Sequence, residues 1–196
     1  MAAVAGSSGT AKGTAKGSKS VSANHRFDSA AGATSSDKAD ILDTWGKTAM
    51  EFQDRSDLSD YQKMQIRDAY NLGRAAVTDY AAVRDFISIR DGKGRLQASA
   101  SVANSSRGHL YLELLATAPW NIAKTKGDDR VVRGAGTAAM VAVIKESVKR
   151  GYGGKVKLFP LDSAILFYEK LGFEPGSGGY VLSSEKAQKL LRMYNS

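Results

Sequence analysis

Residues 133–138 read RGAGTA and open a segment, from about Gly136 to Arg150, whose apolar residues recur at helical spacing. Two glycines at the start of a helix let backbone N–H groups approach an anion closely, and the positive end of the helix dipole favours a phosphate there. The G-x-G-x-x-A pattern of dinucleotide-binding proteins would also match Gly134 to Ala139. That pattern should directly follow a buried parallel strand, which the preceding KTKGDDRVVR is not. The segment therefore predicts a phosphate-binding turn, with glycines that merely shape a tight turn as the structural alternative.

A strand is predicted upstream, in the run HLYLELLATAP from His109 to Pro119. Strict alternation would point one wholly apolar set of side chains to one face: Leu110, Leu112, Leu114, Ala116 and Ala118. It would point a mixed set to the other face: His109, Tyr111, Glu113, Leu115 and Thr117. The carboxylate of Glu113 costs free energy there unless it is paired or lies in a cleft where it takes part in chemistry. An ion pair with an Arg or Lys of a neighbouring strand and a catalytic role are both open.

Hydrophobic periodicity and turn signals divide the rest of the chain into helices and strands. The predicted helices cover about 37–52, with Asp37 as the cap, 59–77, with a Ser59–Gln62 capping box, 136–150, 163–171 and 184–193. The predicted strands cover 86–90, 95–102 with one face buried, 109–118, 155–159, and short segments near 173 and over 180–182. Strands joined by short turns must be antiparallel, whereas a strand that follows a long helix can run parallel. The sequence therefore predicts an α+β fold, a mixed, mostly antiparallel central sheet with helices on both faces.

Residues 1–36 differ in composition from the rest of the chain. Ala, Gly, Ser, Thr and Lys make up 28 of these 36 residues, which leaves little to bury. We expect a flexible, low-complexity basic tail over 1–36 and a domain over 37–196. No convincing strand is evident before Asp37, which leaves open whether the sheet starts late or pairs with part of the tail. A nucleic-acid-binding arm or a secretion signal outside the Sec route is the alternative for this segment.

Composition excludes several classes of function. The 196 residues contain no cysteine, which excludes disulfides, a thiolate zinc site and a cysteine nucleophile. The two histidines are too few and too far apart for a metal cluster, so no metal is expected. No apolar run approaches the length needed to cross a bilayer and no Sec-type signal is evident, so we expect no membrane partner and a cytoplasmic location.

A third motif, FYEKLGF at 167–173, follows the predicted strand over 155–159. With LLATAP at 114–119 and RGAGTA at 133–138, it resembles the acetyl-coenzyme A-dependent N-acyltransferases of the GNAT superfamily, over roughly residues 84–183. RGAGTA fits the Arg/Gln-x-x-Gly-x-Gly/Ala signature of that family through Arg133, Gly136 and Ala138. The three motifs occur in the order of the family, each on the predicted element.

The resemblance implies direct transfer of an acetyl group from acetyl-CoA to a primary amine within a ternary complex. Tyr168 would be the general acid for the departing thiolate, with an aromatic that only packs as the alternative. Glu113 would be the general base for the amine, directly or through water. The cofactor-binding residues implied are Leu115, Ala116, Thr117, Arg133, Gly134, Ala135, Gly136, Thr137, Ala138, Ser163 and Phe167.

The chain departs from the family pattern in two places. Thirteen residues separate Pro119 from Arg133, so Trp120 and Asn121 head an insertion that we expect to shape the acceptor side. The Asn that often precedes the last helix of the family is missing, and Ser163 is the candidate substitute contact.

Several functional alternatives stay open at this point. The acceptor is a small amine, a protein amine or an aminoacyl-tRNA, and nothing in the sequence separates them. The net charge of +8 suits a polyanionic cofactor. The rivals are a non-catalytic GNAT-fold binding module whose basic tail engages nucleic acid or a partner protein, and a secreted acetyltransferase effector. A homodimer is also left open.

Overall fold

A seven-stranded sheet in the order β1-β2-β3-β4-β5-β7-β6 forms the centre of the molecule. The computed structural model describes residues 27–79 and 84–195. The strands are β1 (Phe27–Ala31), β2 (Asp85–Asp91), β3 (Leu96–Asn104), β4 (Leu110–Thr117), β5 (Val156–Leu158), β6 (Glu174–Gly176) and β7 (Gly179–Leu182). Neighbouring strands are antiparallel except β4 and β5, which are parallel. The mixed, mostly antiparallel sheet predicted from the sequence is confirmed.

Helices cover both faces of the sheet, as predicted. They are α1 (Ser35–Ala39), α2 (Gly46–Gln53), α3 (Asp60–Thr78), α4 (Pro119–Ala123), α5 (Ala135–Lys149), α6 (Ile165–Lys170) and α7 (Ser184–Asn195). A π-helical turn, Asp40–Trp45, joins α1 to α2, and a 3₁₀ turn, Asp162–Ala164, precedes α6. One buried apolar core lies between the sheet and α5, α6 and α7. The other lies on the opposite face, beneath α1 to α4.

The first strand lies within the segment that the sequence assigned to the tail. β1 pairs with β2 over five residue pairs, from Phe27 with Asp91 to Ala31 with Ile87. The flexible tail predicted over 1–36 is therefore wrong for residues 27–36, and β1 answers the question that the sequence left open, because it is a strand before Asp37 that pairs with the sheet. Residues 1–26 lie outside the described residues. Only Phe27 of β1 is partly buried, so its pairing with β2 defines the strand rather than any apolar pattern of its own.

Thr34, and not Asp37, caps the first helix. The Asp37 N–H donates to Thr34 Oγ1 (3.1 Å), and the Thr34 N–H donates to the Asp37 carboxylate (2.9 Å). Asp37 is buried and also accepts a hydrogen bond from Arg90 Nη2 at 2.7 Å. The predicted cap is wrong by three residues because Asp37 is the reciprocal, third-position member of the capping box.

The long helix α3 follows the prediction closely. Its capping box joins Ser59 and Gln62 as expected. A Cβ at Gly73 would lie 3.0 Å from Cζ3 of Trp45, so this glycine lets α3 pack tightly against the Trp45 ring. The helix continues without interruption to Thr78.

Strand β3 is buried on both faces, whereas its alternating sequence predicted one buried face. Ser99 and Ser101 are each 1% exposed, although polar side chains in alternation indicate solvent. The prediction of a half-buried strand is wrong because β3 lies near the middle of the sheet, where helices cover both sides.

No helix within 27–79 and 84–195 is long and apolar enough to cross a membrane. Within the same ranges, no group of three His, Asp or Glu side chains is placed to hold a metal ion.

Candidate active site

The strands β4 and β5 separate halfway along β4. Their parallel ladder has three pairs, from Leu110 with Val156 to Leu112 with Leu158, where β5 ends. On its other side β4 stays paired with β3 as far as Thr117. Among the described residues, no strand adjoins the β5-side edge of β4 beyond Leu112. The backbone of Leu115 and Ala116 therefore borders an opening in the sheet.

A β-bulge at Glu113 changes the alternation of β4. Ser101 pairs with Leu114 and the next residue, Val102, pairs with Leu112, which leaves Glu113 as the extra residue. Side chains before and after the bulge consequently face opposite cores: Leu110 and Leu112 lie on the α5 face, and Leu114 and Ala116 lie beneath α1 to α4. The predicted strict alternation over 109–118 is wrong, because one inserted residue reverses every side chain beyond it.

Glu113 forms an ion pair with Arg84. Arg84 Nε lies 2.8 Å from Glu113 Oε1, and the two side chains are 34% and 12% exposed. This is the structural role that the sequence left open. Burial, and then the charge of Glu113, raise the pKa of Tyr111 two residues away. Glu113 is thus a largely buried carboxylate, and any chemistry at this position involves Arg84 as well.

His109 directly precedes β4 and is ionisable, as are Tyr111 and Glu113 within the strand. Burial and the positive charges of Lys157 and Arg107 lower the pKa of His109. The imidazole is therefore biased toward its neutral form. It lies four residues before Glu113, at the end of β4 remote from Thr117.

The glycine turn begins helix α5. Gly134 is the N-cap, with φ at 89°, a left-handed conformation that favours glycine. No side chain caps the helix. The first intrahelical hydrogen bond runs from the Ala138 N–H to Gly134 O (2.8 Å), so the N–H groups of the three preceding residues have no intrahelical acceptor. Those residues are Ala135, Gly136 and Thr137.

Gly136 lies between the end of β4 and helix α6. A Cβ there would be 3.4 Å from Cγ2 of Thr117 and 3.5 Å from Cζ of Phe167, which are ordinary contacts. Ser163 lies in the 3₁₀ turn just before α6 and is partly exposed. The structure thus brings Thr117, Gly136 and Phe167 together.

Basic residues lie on the approach to α5. Arg130 is held by Asp128, 2.8 Å from Nη2, and its guanidinium lies 5.1 Å above the Trp120 ring. The hydrogen bond to Asp128 raises the pKa of Arg130. Burial and the charge of Arg133 lower the pKa of Lys124. The exposed positive charge near the turn comes from Lys124, Lys126 and Arg133, while Arg130 is part of the packing.

Tyr168 is fully buried in the core on the α5 face. Its ring centroid lies 5.2 Å from that of Phe167 and 5.4 Å from that of Phe173, with edge-on geometry. Its hydroxyl has no hydrogen-bond partner among the described residues. Burial raises the pKa of Tyr168, so the hydroxyl keeps its proton at neutral pH. A buried hydroxyl without a partner is costly, and this one belongs to the residue that the motif singled out.

Sequence reasoning missed Gln97, which holds the insertion in place. Trp120 is 2% exposed, and its Nε1 donates to Gln97 Oε1 at 3.0 Å. The Trp120 ring also packs edge-on against Trp45, with 6.5 Å between centroids. The start of the insertion is thus packed into the fold. An alternating strand gives no signal that Gln97 is buried.

Comparison with solved structures identifies this fold. No protein-family model and no curated protein matches the sequence. A protein from Exiguobacterium sp. 255-15, provisionally designated an acetyltransferase, aligns with a TM-score of 0.50 over 83% of this chain and 97% of its own, at 14% identity. A GNAT-family acetyltransferase from Staphylococcus aureus Mu50 covers 79% of this chain and 94% of its own, with a TM-score of 0.45 and 12% identity.

This protein has the GNAT fold.

A mutant of the toxin AtaT, bound to acetyl-CoA and the C-terminus of the antitoxin AtaR, covers 71% of this chain and 89% of its own, with a TM-score of 0.41 and 15% identity. At 14% identity, the likeness to the Exiguobacterium protein establishes the fold and not an activity. Within that fold the three motifs lie on three elements next to the opening between β4 and β5. LLATAP ends β4, RGAGTA starts α5, and FYEKLGF forms α6 and the turn after it.

Proposed function

We propose that this protein transfers an acetyl group from acetyl-CoA to a primary amine, directly within a ternary complex. The observation that carries the proposal is the buried Tyr168 hydroxyl, which has no partner among the described residues. Tyr168 shares its core with Leu115 and Leu158, which flank the opening between β4 and β5. The Tyr168 ring packs edge-on against Phe167, which lies 3.5 Å from a Cβ placed at Gly136, and a phenol near this turn can act as the proton donor in acyl transfer.

The residues at the opening fit acetyl-CoA. The uncapped first turn of α5 offers N–H groups to a pyrophosphate, and the exposed Lys124, Lys126 and Arg133 add positive charge. Nothing lies within 4 Å of a Cβ at Gly134, so the turn is open to solvent. The residues that would hold the cofactor are the backbone of Leu115, Ala116 and Thr117, the turn from Arg133 to Ala138, and Ser163 and Phe167. Acetyl-CoA, when bound, supplies the thioester that the amine attacks.

The chain supplies two groups that handle protons. Tyr168 carries a proton at Oη at neutral pH and is the proposed donor of that proton to the departing thiolate. Glu113 is the proposed acceptor of the proton from the amine, directly or through water, with Arg84 as its ion-pair partner. Direct transfer is the simpler route since the chain has no cysteine to carry an acyl group.

The acceptor class stays open among small amines, protein amines and aminoacyl-tRNA. A cytoplasmic location is part of the proposal, with a secreted effector as the alternative. A non-catalytic GNAT-fold binding module is the competing function, and the partnerless Tyr168 hydroxyl argues against it, because a binding module gains nothing from that cost.

Calorimetry followed by an acceptor screen tests the proposal. We expect acetyl-CoA to raise the melting temperature, and free thiol to appear when amines are added, with the acetylated acceptor identified by mass spectrometry. The screen should include small amines, peptides, charged tRNA and cell lysate. Binding without thiol release for any acceptor would favour the binding module, and no binding would overturn the proposal.

A further inference from the structure

The buried amide of Gln97 lies at a second β-bulge. In the β2–β3 ladder Ile89 pairs with Ala98 and Arg90 pairs with Leu96, so Gln97 is the extra residue. Its side chain is completely buried. An amide buried away from water costs free energy unless its donors and acceptors are satisfied.

Partners from two parts of the chain satisfy this amide. Gln97 Nε2 donates to Asp91 Oδ2 at 2.8 Å, within the β2–β3 hairpin. Gln97 Oε1 accepts from Trp120 Nε1 at 3.0 Å and from Asn121 Nδ2 at 2.8 Å. Gln97 therefore joins the hairpin to the first residues of the 120–132 insertion.

Asn121 passes this connection on to the last residue of the insertion. The Val132 N–H donates to Asn121 Oδ1 at 2.8 Å, across eleven residues of sequence. Asn121 Nδ2 also reaches the backbone oxygen of Gln97 at 3.3 Å. Since Val132 directly precedes Arg133, Asn121 fixes the point from which the glycine turn departs.

The hairpin holds the insertion at a second point. Arg95 donates from Nη1 to Asp129 Oδ2 (3.0 Å) and from Nη2 to Asp129 O (2.7 Å). Asp91 in turn accepts from Arg95 Nε at 2.9 Å. Burial alone would raise the pKa of Asp91, but the hydrogen bonds from Arg95, Lys93 and Gln97 outweigh it and hold that pKa below its ordinary value. Asp91 is thus buried and ionised. Through Gln97 it is connected to the start of the insertion, and through Arg95 to Asp129 near its end.

We propose that Gln97 and Asn121 are positioning residues for the cofactor, which set the phosphate turn from Arg133 to Gly136 at a fixed place relative to β4. This inference rests on the proposed function, because it assigns a purpose to the site that binds acetyl-CoA. The insertion then orients the cofactor end of the site rather than shaping the acceptor side.

The placement of these bonds supports positioning over simple loop stability. A ligand held by backbone N–H groups depends on the position of the backbone itself, and small misplacements reduce binding and rate steeply. The helix start has no side-chain cap of its own that would fix it. The hydrogen bond from the Val132 N–H to Asn121 Oδ1 therefore ties the residue before the turn to the β2–β3 hairpin through Gln97.

The first test measures amide hydrogen exchange in the ligand-free protein. Asn121→Ala should speed exchange at Val132 and through Gly136, because the acceptor of the Val132 N–H is lost. Ser147→Ala is the matched control. It removes another partly buried hydrogen bond between a side chain and the backbone, from Ser147 Oγ to Lys155 O at 2.7 Å, near the opposite end of α5. Unchanged exchange at the turn in Asn121→Ala would overturn the inference, whether or not the cofactor binds.

The second test compares acetyl-CoA affinity by calorimetry in the same proteins. We expect Asn121→Ala to weaken binding about tenfold and to raise the KM for acetyl-CoA while kcat at saturation changes little. Ser147→Ala should lower the melting temperature but keep the affinity. Faster exchange with unchanged affinity, or equal losses of affinity in both variants, would overturn the inference. If the wild-type protein itself does not bind acetyl-CoA, the proposed function fails first and the inference with it. Asn121→Ser replaces Asn121→Ala if the latter does not fold.

Discussion

A substitution that removes only the hydroxyl of Tyr168 can distinguish a role in packing from a role in catalysis. Because its hydroxyl has no partner among the described residues, Tyr168→Phe removes no hydrogen bond from the described fold. We expect the variant to keep or slightly raise the melting temperature and to bind acetyl-CoA normally. Turnover should fall about 10²-fold, as is typical when a general acid is lost.

The control for Tyr168 is another tyrosine of the same face. The Tyr180 hydroxyl is exposed and donates to Glu169 at 3.4 Å, so Tyr180→Phe also removes a phenolic oxygen, but one that has no role in the proposed chemistry. It should leave turnover unchanged. Equal turnover of Tyr168→Phe and wild type, measured by thiol release, would show that Tyr168 only packs.

Variants of Glu113 and Arg84 can show whether Glu113 acts as a general base or only forms a structural ion pair. If Glu113 takes the proton from the amine, Glu113→Gln should flatten the acid limb of the pH–rate profile and lower kcat/KM about 10²-fold. Arg84→Gln removes the same ion pair but keeps the carboxylate, so its acid limb should persist. If both variants lose the same stability and keep the wild-type profile, Glu113 has only the structural role.

Helix α5 provides the test of cofactor binding at the scale of an element. A side chain at Gly136 fits without a clash, and an aspartate near a helix N-terminus stabilises the helix by about 0.3–1 kcal/mol. Gly136→Asp should therefore keep or raise the melting temperature. Its carboxylate would compete with and repel a phosphate at the same N–H groups, so the affinity for acetyl-CoA should fall at least about tenfold.

Gly136→Ala separates bulk from charge in this experiment. It adds the same Cβ, which meets only Thr117 and Phe167 at ordinary distances. Its affinity should lie much closer to wild type than that of Gly136→Asp in titration calorimetry. Unchanged affinity in a folded Gly136→Asp would show that acetyl-CoA does not bind through this turn.

Elements with local signals could be predicted from the sequence. The Ser59–Gln62 box sets the start of α3, and the hydrogen bond from the Gly94 N–H to Asp91 O closes the turn expected between β2 and β3. Helix α5 also begins where its glycines indicate. In each case the residues that define the feature are close in sequence, so a single chain segment carries the information.

The two β-bulges and β1 could not be predicted in this way. A bulge depends on how two strands align: Gln97 continues the alternation of its strand, and the charge of Glu113 indicates a paired or reactive carboxylate rather than an extra residue. Strand β1 reads like the alanine- and serine-rich segment before it, and only its pairing with β2 identifies it. The errors near the candidate site therefore have one physical origin, since all three features depend on which residues of two strands pair, and neither strand's own pattern sets that register.

At the scale of the whole molecule, β1 lies at the edge of the sheet, opposite the glycine turn at the start of α5. A cavity of about 260 Å³ lies between them, and Phe27 and Ser29 of β1 line it together with Gly134 and Thr137. Behind β1, Thr34 caps the first helix and Asp37 binds Arg90 of β2. Residues 27–36 thus contribute to both the sheet edge and the surroundings of α5.

Two truncations test this placement. A chain that begins at residue 37 loses the five pairs of β1 and the Thr34 cap, worth about 1 kcal/mol by itself. Its melting temperature should fall by several degrees, at about 2–4 °C per kcal/mol for a domain of this size, and its affinity for acetyl-CoA should fall as the cavity wall beside Gly134 is lost. A chain that begins at residue 27 keeps all of these contacts, so calorimetry should find its melting temperature and affinity unchanged.

Equal melting temperatures for the two truncated chains would show that β1 does not belong to the cooperative fold. Loss of activity on the identified acceptor in the chain from residue 27 would instead assign substrate recruitment to residues 1–26.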